Sequence, residues 1–146
     1  MNKFLISNKT IPMVMGVLTA VIGFIVLWGW HTSNPTLTQF GSIFAAMQYN
    51  AALCFVAAGV GIISLANDDR LLPFLLGIFI MLIGYLTLVE YLFNLNIGLD
   101  QLFMSVPTSN SVNSPGRMYP TTTLMLSLIG TSLFILSNYT NAKSGS

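Results

Sequence analysis

The chain has 146 residues, of which 54% are hydrophobic and only 6% charged, and its mean hydropathy is +0.78. That leaves too little polar surface to coat a soluble globule of this size, so the composition selects a membrane protein. A formal net charge of +1 without any cluster of Lys and Arg offers nothing for nucleic-acid phosphates, which argues against a nucleic-acid partner.

Four windows, residues 11–30, 43–65, 71–95 and 119–136, are apolar and long enough to cross a hydrocarbon core roughly 30 Å thick. The predicted fold class is all-α, a four-helix transmembrane bundle forming a single domain over residues 1–146, with an outer loop at 96–118 and a disordered polar tail at 140–146. The first window has no small-residue cleavage site before Trp28 and Trp30, so it reads as an uncleaved helix rather than a signal peptide. Lys3, Lys9, Arg70 and Lys143 fall on one side of the membrane and only Arg117 on the other. The positive-inside rule then puts both termini and the link at 66–70 in the cytoplasm, with the loops at 31–42 and 96–118 outside; in a bacterium the membrane would be the inner one.

In the first helix, Gly16, Ala20 and Gly23 are small residues that let a neighbouring backbone approach, and Trp28 and Trp30 read as an interfacial belt. His31 follows the belt, either as a solvated side chain or as a ligand or proton-sensing group. The second helix opens with Met47-Gln48-Tyr49-Asn50, which brings two amides into the apolar layer; they serve either helix-to-helix hydrogen bonds or a polar site. Cys54 stands alone, so no intramolecular disulfide is available and its role is packing.

The third helix starts around Pro73, carries Gly77 and Gly84, and ends near Glu90, the one carboxylate within any apolar window. Glu90 is either solvated at the headgroups or functional. The loop that follows begins with an apolar piece that lies on the membrane surface or caps the bundle, then a Ser- and Asn-rich connector. A turn at Pro115-Gly116 delivers Arg117 and Met118 to the mouth of the fourth helix, and Arg117 is expected to pair with Glu90 or Asp100. Helix four begins around Pro120, and its Thr121-Thr122-Thr123 hydroxyls can bond back to the preceding turn.

Pro12, Gly16 and Gly23 have the mutual spacing of Pro73, Gly77 and Gly84, and Met47, Leu53 and Gly59 that of Met118, Leu124 and Gly130. The pattern predicts one helical hairpin duplicated, the two copies inserted with the same orientation about a pseudo-twofold along the membrane normal. Met47, Gln48, Asn50, Glu90, Asp100, Arg117, Met118 and Thr121 then share the outer layer as candidate ligand-binding residues. His31, Met47 and Met118 form a weaker alternative, a soft site for Cu(I) or haem; the chain otherwise names no cofactor. Phosphate-binding glycine loops, paired-Cys or His-Cys metal spacings and nucleophile-base arrangements are absent, which argues against an enzyme.

Met47-Gln-Tyr-Asn-Ala-Ala-Leu-Cys-Phe55, Gly98-Leu-Asp-Gln-Leu-Phe103 and Pro115-Gly-Arg-Met118 resemble the MASE-like membrane region that precedes PAS, histidine-kinase and diguanylate-cyclase modules in bacterial signalling proteins. The resemblance spans about residues 43–136 and departs at Thr121-Thr-Thr, where that family's pattern has Asn-Thr-Ala. It implies a non-enzymatic sensory input domain, homodimeric, with a kinase or cyclase downstream. The rival reading is a stand-alone binding or transport protein for a quinone, lipid or metal, and in either case the partners are the bilayer and a small apolar ligand.

Overall fold

The computed structural model describes residues 2–39, 46–99, 102–104 and 116–144, with side chains described between residues 9 and 139 of those ranges. The elements in chain order are α1 (Asn2–His31), the short α2 (Pro35–Thr38), α3 (Tyr49–Ala66), α4 (Leu71–Leu92) and α5 (Pro120–Ser144). No strand occurs among the described residues. The four long helices each contain a stretch apolar and long enough to span a membrane. The chain is therefore an all-α, multi-pass membrane protein. Its exposed surface agrees, since α1 alone turns Ile11, Val14, Leu18, Val21, Phe24 and Trp28 outward, a cover suited to lipid rather than water.

One end of the molecule carries the link between α3 and α4, and the other carries the two longer connections; they are called here the link end and the loop end. At the link end the α3 terminus is closed by Asp69 N–H donating to the Ser64 carbonyl (3.0 Å) and Asp68 N–H to the Leu65 carbonyl (3.2 Å), with Asp68 at φ +65°. An Asp tolerates that left-handed conformation better than most residues. Asp68 also pairs with Lys9 of α1 and lies 3.6 Å from Arg70. Those partners, the Lys9 hydrogen bond foremost, hold its carboxyl below the usual carboxylate range.

Glycines set how closely the helices pack. A Cβ on Gly59 of α3 would lie 2.5 Å from both the Ala20 nitrogen and the Gly16 oxygen of α1. A Cβ on Gly130 of α5 would lie 2.5 Å from the Met81 nitrogen and 2.9 Å from the Gly77 oxygen of α4. Without side chains at these crossings the backbones come together, the arrangement that replaces hydrophobic driving force in lipid. Helix α3 is central: it packs on α1 along one face and on α4 and α5 along another, and so buries Ala51, Ala52, Cys54, Ala57, Ala58, Gly59 and Gly61. Helix α1 packs chiefly on α3 and α2. Because α5 has no comparable seam with α1, the packing between the two hairpins is lopsided rather than evenly two-fold.

The helix limits differ from the hydropathy windows for physical reasons. Helix α1 begins at Asn2 instead of residue 11, leaving Pro12 inside it, and α5 continues through Thr140 to Ser144, where a disordered tail is expected. Hydropathy marks the part of a helix that lipid covers, not where its hydrogen bonds stop. Helix α3 opens at Tyr49 rather than at residue 43. Residues 43–45 lie outside the described residues, and Ala46–Gln48 stay out of the helix, Gln48 extended, because tertiary bonds occupy Met47: its N–H donates to the Thr38 carbonyl (2.9 Å) and its carbonyl accepts from Trp30 Nε1 (2.9 Å). Helix α4 stops at Leu92, short of residue 95, where Asn94 turns to φ +51° and Leu95 N–H donates to the Glu90 carbonyl (3.0 Å). The unexpected α2 has a plain local cause: Asn34 Oδ1 caps the Thr36 N–H at 3.0 Å, and Pro35 takes the first helical position.

Candidate functional site

Three polar side chains from three elements close on the backbone of Leu95–Leu99 at the loop end. Glu90 Oε1, on the last turn of α4, accepts from the Ile97 N–H at 2.8 Å. Asn50 Nδ2, on the first turn of α3, donates to the Leu99 carbonyl at 2.8 Å. Arg117 Nη2, just before α5, donates to the Leu95 carbonyl at 3.0 Å. Glu90 is wholly buried and its Oε2 lies 3.8 Å from Arg117 Nη2, an ion-pair separation longer than a hydrogen bond. The guanidinium also sits over the Tyr91 ring, 5.3 Å from its centroid. Farther along, Phe103 sets its ring edge-on to Phe79 at 6.4 Å, so the apolar part of the loop leans against the bundle.

Beside this clamp lies a cavity of about 210 Å³ between the beginnings of α3 and α5, lined by Ala46, Met47, Gln48, Ala51, Phe55, Met118, Tyr119 and Thr122. Its walls are mainly apolar. The two methionines are held alike, each by a hydrogen bond to its backbone carbonyl from an aromatic side chain near the end of the preceding long helix. Trp30 Nε1–H donates to Met47 at 2.9 Å, and Tyr91 O–H donates to Met118 at 2.6 Å. Gly116, at φ +87°, makes the turn that brings Arg117 to the clamp and buries Met118. Among the described residues, three buried side-chain atoms have no hydrogen-bond partner, Gln48 Oε1, Asn50 Oδ1 and Glu90 Oε2, and all three are acceptors.

The predicted site residues thus separate into two neighbouring groups. Asn50, Glu90 and Arg117 meet at the clamp, while Met47, Gln48 and Met118 line the cavity. Thr121 is exposed and lines neither; Thr122, one position on, faces the cavity instead, because Pro120 starts the helix and sets its register. Asp100 lies outside the described residues. His31 is exposed and pairs with Tyr49 (Oη to Nε2, 3.3 Å), while Met47 and Met118, its partners in the alternative metal set, line the cavity, which His31 does not. Among the described residues no three His, Cys, Asp or Glu side chains gather as a metal site.

Trp30, Ala51, Phe55, Tyr91, Tyr119 and Thr122 were not legible as site residues from composition or hydropathy. A signal for two of them does exist: the 61-residue offset that carries Gly16 to Gly77 carries Trp30 to Tyr91. The remaining four are ordinary membrane-helix residues whose place depends on packing. The chain is a four-span integral membrane protein, and no family model, curated protein or solved structure matches it.

Proposed function

We propose that this chain is the sensory input domain of a bacterial signal-transduction protein, without enzymatic activity of its own, recognising a small, partly apolar ligand in the cavity between α3 and α5. The observation that carries the reading is the 210 Å³ apolar space into which Met47, Gln48 and Met118 come together. Small-molecule sites have this make-up, apolar walls with a few polar groups to orient the guest. Helix α5 forms one wall near Thr122 and runs unbroken to Ser144, so a change in its packing is felt at the link end. A ligand preferring one packing shifts the population toward it by its difference in affinity. The resemblance of residues 43–136 to MASE-like regions supports a downstream kinase or cyclase and a homodimer.

The same proposal takes the domain as two copies of one hairpin, with both termini cytoplasmic in the bacterial inner membrane. Matching contacts support duplication: Gly59 meets Gly16 and Ala20 as Gly130 meets Gly77 and Met81, and Ser33 and Asn94 end α1 and α4 at φ +52° and +51°. The 4:1 split of Lys and Arg supports the orientation. Quantitative binding of quinones, lipids and Cu(I) to the purified protein tests the ligand reading. Saturable binding that Thr122→Trp abolishes would support it, and binding indifferent to Thr122→Trp would refute it.

A further inference from the structure

We propose that the link end holds a phospholipid, its phosphodiester taken by Arg70 and Asn138 in a cleft between the start of α4 and the end of the apolar span of α5. The site owes nothing to the cavity at the loop end or to the orientation of the chain, since both leaflets present phosphodiesters.

The cleft, of about 330 Å³, is lined by Arg70, Leu71, Phe74 and Asn138. Its depth follows from the apolar spans, because the one in α4 begins at Leu71 and the one in α5 closes at Tyr139. Arg70, Leu71 and Asn138 therefore stand where hydrocarbon gives way to headgroups, and Phe74 lies about one turn further in. Tyr139, exposed beside Asn138, takes the place usual for an interfacial aromatic. The apolar half of the cleft separates a lipid from a free anion: Leu71 and the neighbouring Leu75 are exposed on α4, a surface that suits an acyl chain and offers nothing to a hydrated ion. Phe74 stacks on Phe134 of α5 at 5.3 Å, so a lipid seated here bridges two helices that are already in contact beneath it.

The polar half is made of donors. The Arg70 side chain is only 26% exposed, yet among the described residues its guanidinium makes no hydrogen bond. Asp68 Oδ1 lies 3.6 Å away, longer than a hydrogen bond, and that carboxylate is shared with Lys9. Asp69 is turned to the backbone instead, where its Oδ1 accepts from the Leu71 N–H at 3.1 Å. A guanidinium carries its N–H groups in a planar fork that matches two oxygens of a phosphate. The Asn138 amide is held in one orientation, since Nδ2 donates to the Phe134 carbonyl at 2.9 Å, and the same nitrogen keeps a second hydrogen for another acceptor. Arg70 and Asn138 thus both bring N–H groups to the cleft, and basic pockets between membrane helices at headgroup depth are where lipid phosphates bind.

The test is native mass spectrometry of the full chain in detergent, titrated with dioleoyl phosphatidylglycerol, dioleoyl phosphatidylcholine and, as the phosphate-free analogue, dioleoylglycerol. Each phospholipid is expected to be retained about tenfold more tightly than dioleoylglycerol, and millimolar inorganic phosphate should not displace it. Arg70→Gln should weaken phospholipid binding about tenfold and Asn138→Leu about threefold, with dioleoylglycerol unaffected by either. Dioleoylglycerol held as tightly as the phospholipids would overturn the proposal in the unaltered chain, where no variant need fold. Phospholipid binding that neither substitution moves would place the lipid elsewhere. A loss in Arg70→Gln alone would mean attraction by charge without the cleft, and displacement by inorganic phosphate would mean an anion site rather than a lipid site; either result overturns the proposal. Circular dichroism reports whether each variant has folded.

Discussion

Deleting the Glu90 carboxylate is the most direct perturbation of the loop end. Glu90→Ala removes the acceptor 2.8 Å from the Ile97 nitrogen and the countercharge 3.8 Å from Arg117 Nη2, while the guanidinium keeps the Leu95 carbonyl and the Tyr91 ring. Removing one partner of a buried ion pair costs about 3–5 kcal/mol, mostly from the charge left behind. The Arg117 side chain is 8% exposed, so little water reaches it, but the separation is too long for a charge-assisted hydrogen bond. The expected loss therefore lies near the lower bound, about 3 kcal/mol, of which the Ile97 hydrogen bond accounts for about 1 kcal/mol. Glu90→Leu combined with Arg117→Leu removes both charges and should restore about 2 kcal/mol relative to the sum of the single changes. Unfolding in mixed detergent micelles with increasing SDS, followed by the helical dichroism signal, measures all four states of the cycle. A Glu90→Ala loss below about 1 kcal/mol, or strictly additive single and double variants, would mean that the carboxylate is hydrated and the pair inert.

The glycine crossings should respond in parallel: Gly59→Ala and Gly130→Ala each put a Cβ 2.5 Å from a neighbouring backbone nitrogen, and each should lower stability in the same assay by about 1–3 kcal/mol. A loss at one crossing and none at the other would count against equivalent packing. The depressed Asp68 carboxyl binds its proton less readily folded than unfolded, so its contribution is present at neutral pH and lost as the pH falls through and below the usual carboxylate range. Lys9→Met should therefore flatten the acid limb of a stability-against-pH curve, and an unchanged acid limb would discount the pair. In a Cys54→Ala background, Leu102→Cys should react with an impermeant thiol reagent from the periplasmic side and Asn67→Cys from the cytoplasmic side; the reverse pattern would invert the proposed orientation.

The number of spans was legible because lipid demands long apolar windows, and their positions follow from Pro, Gly and charge. Their ends were not, since Trp30 and Thr38 reach Met47 from elsewhere in the chain and keep it out of the helix. The central place of α3 is written in side-chain size: Cys54, Ala57 and Ala58 are buried, while the residues 71 positions on, Met125, Leu128 and Ile129, are large and face outward. Asn50, Glu90 and Arg117 stood out as polar groups in apolar surroundings, as a candidate site should. What they hold could not be read, because their partners are the backbone groups of Leu95, Ile97 and Leu99, and a backbone carbonyl or N–H has no signature in sequence.

The clamp and the cavity are physically joined through two adjacent residues. Met118 offers its side chain to the cavity and its carbonyl to Tyr91, and Arg117, one bond earlier in the chain, holds the Leu95 carbonyl and lies over the same Tyr91 ring. A guest that displaces the Met118 side chain must either spare its backbone or pull on Tyr91 and Arg117 together. On the other wall Met47 is held to α1 and its connection, through Trp30 and Thr38, while Asn50, three residues on, holds the Leu99 carbonyl in the clamp. The two methionines are thus alike in their backbone hydrogen bonds and unlike in what lies behind them. Movement at Met118 reaches the loop clamp through Arg117, its neighbour in the chain, and movement at Met47 reaches it through Asn50, three residues on, so both hairpins connect the cavity walls to the clamp.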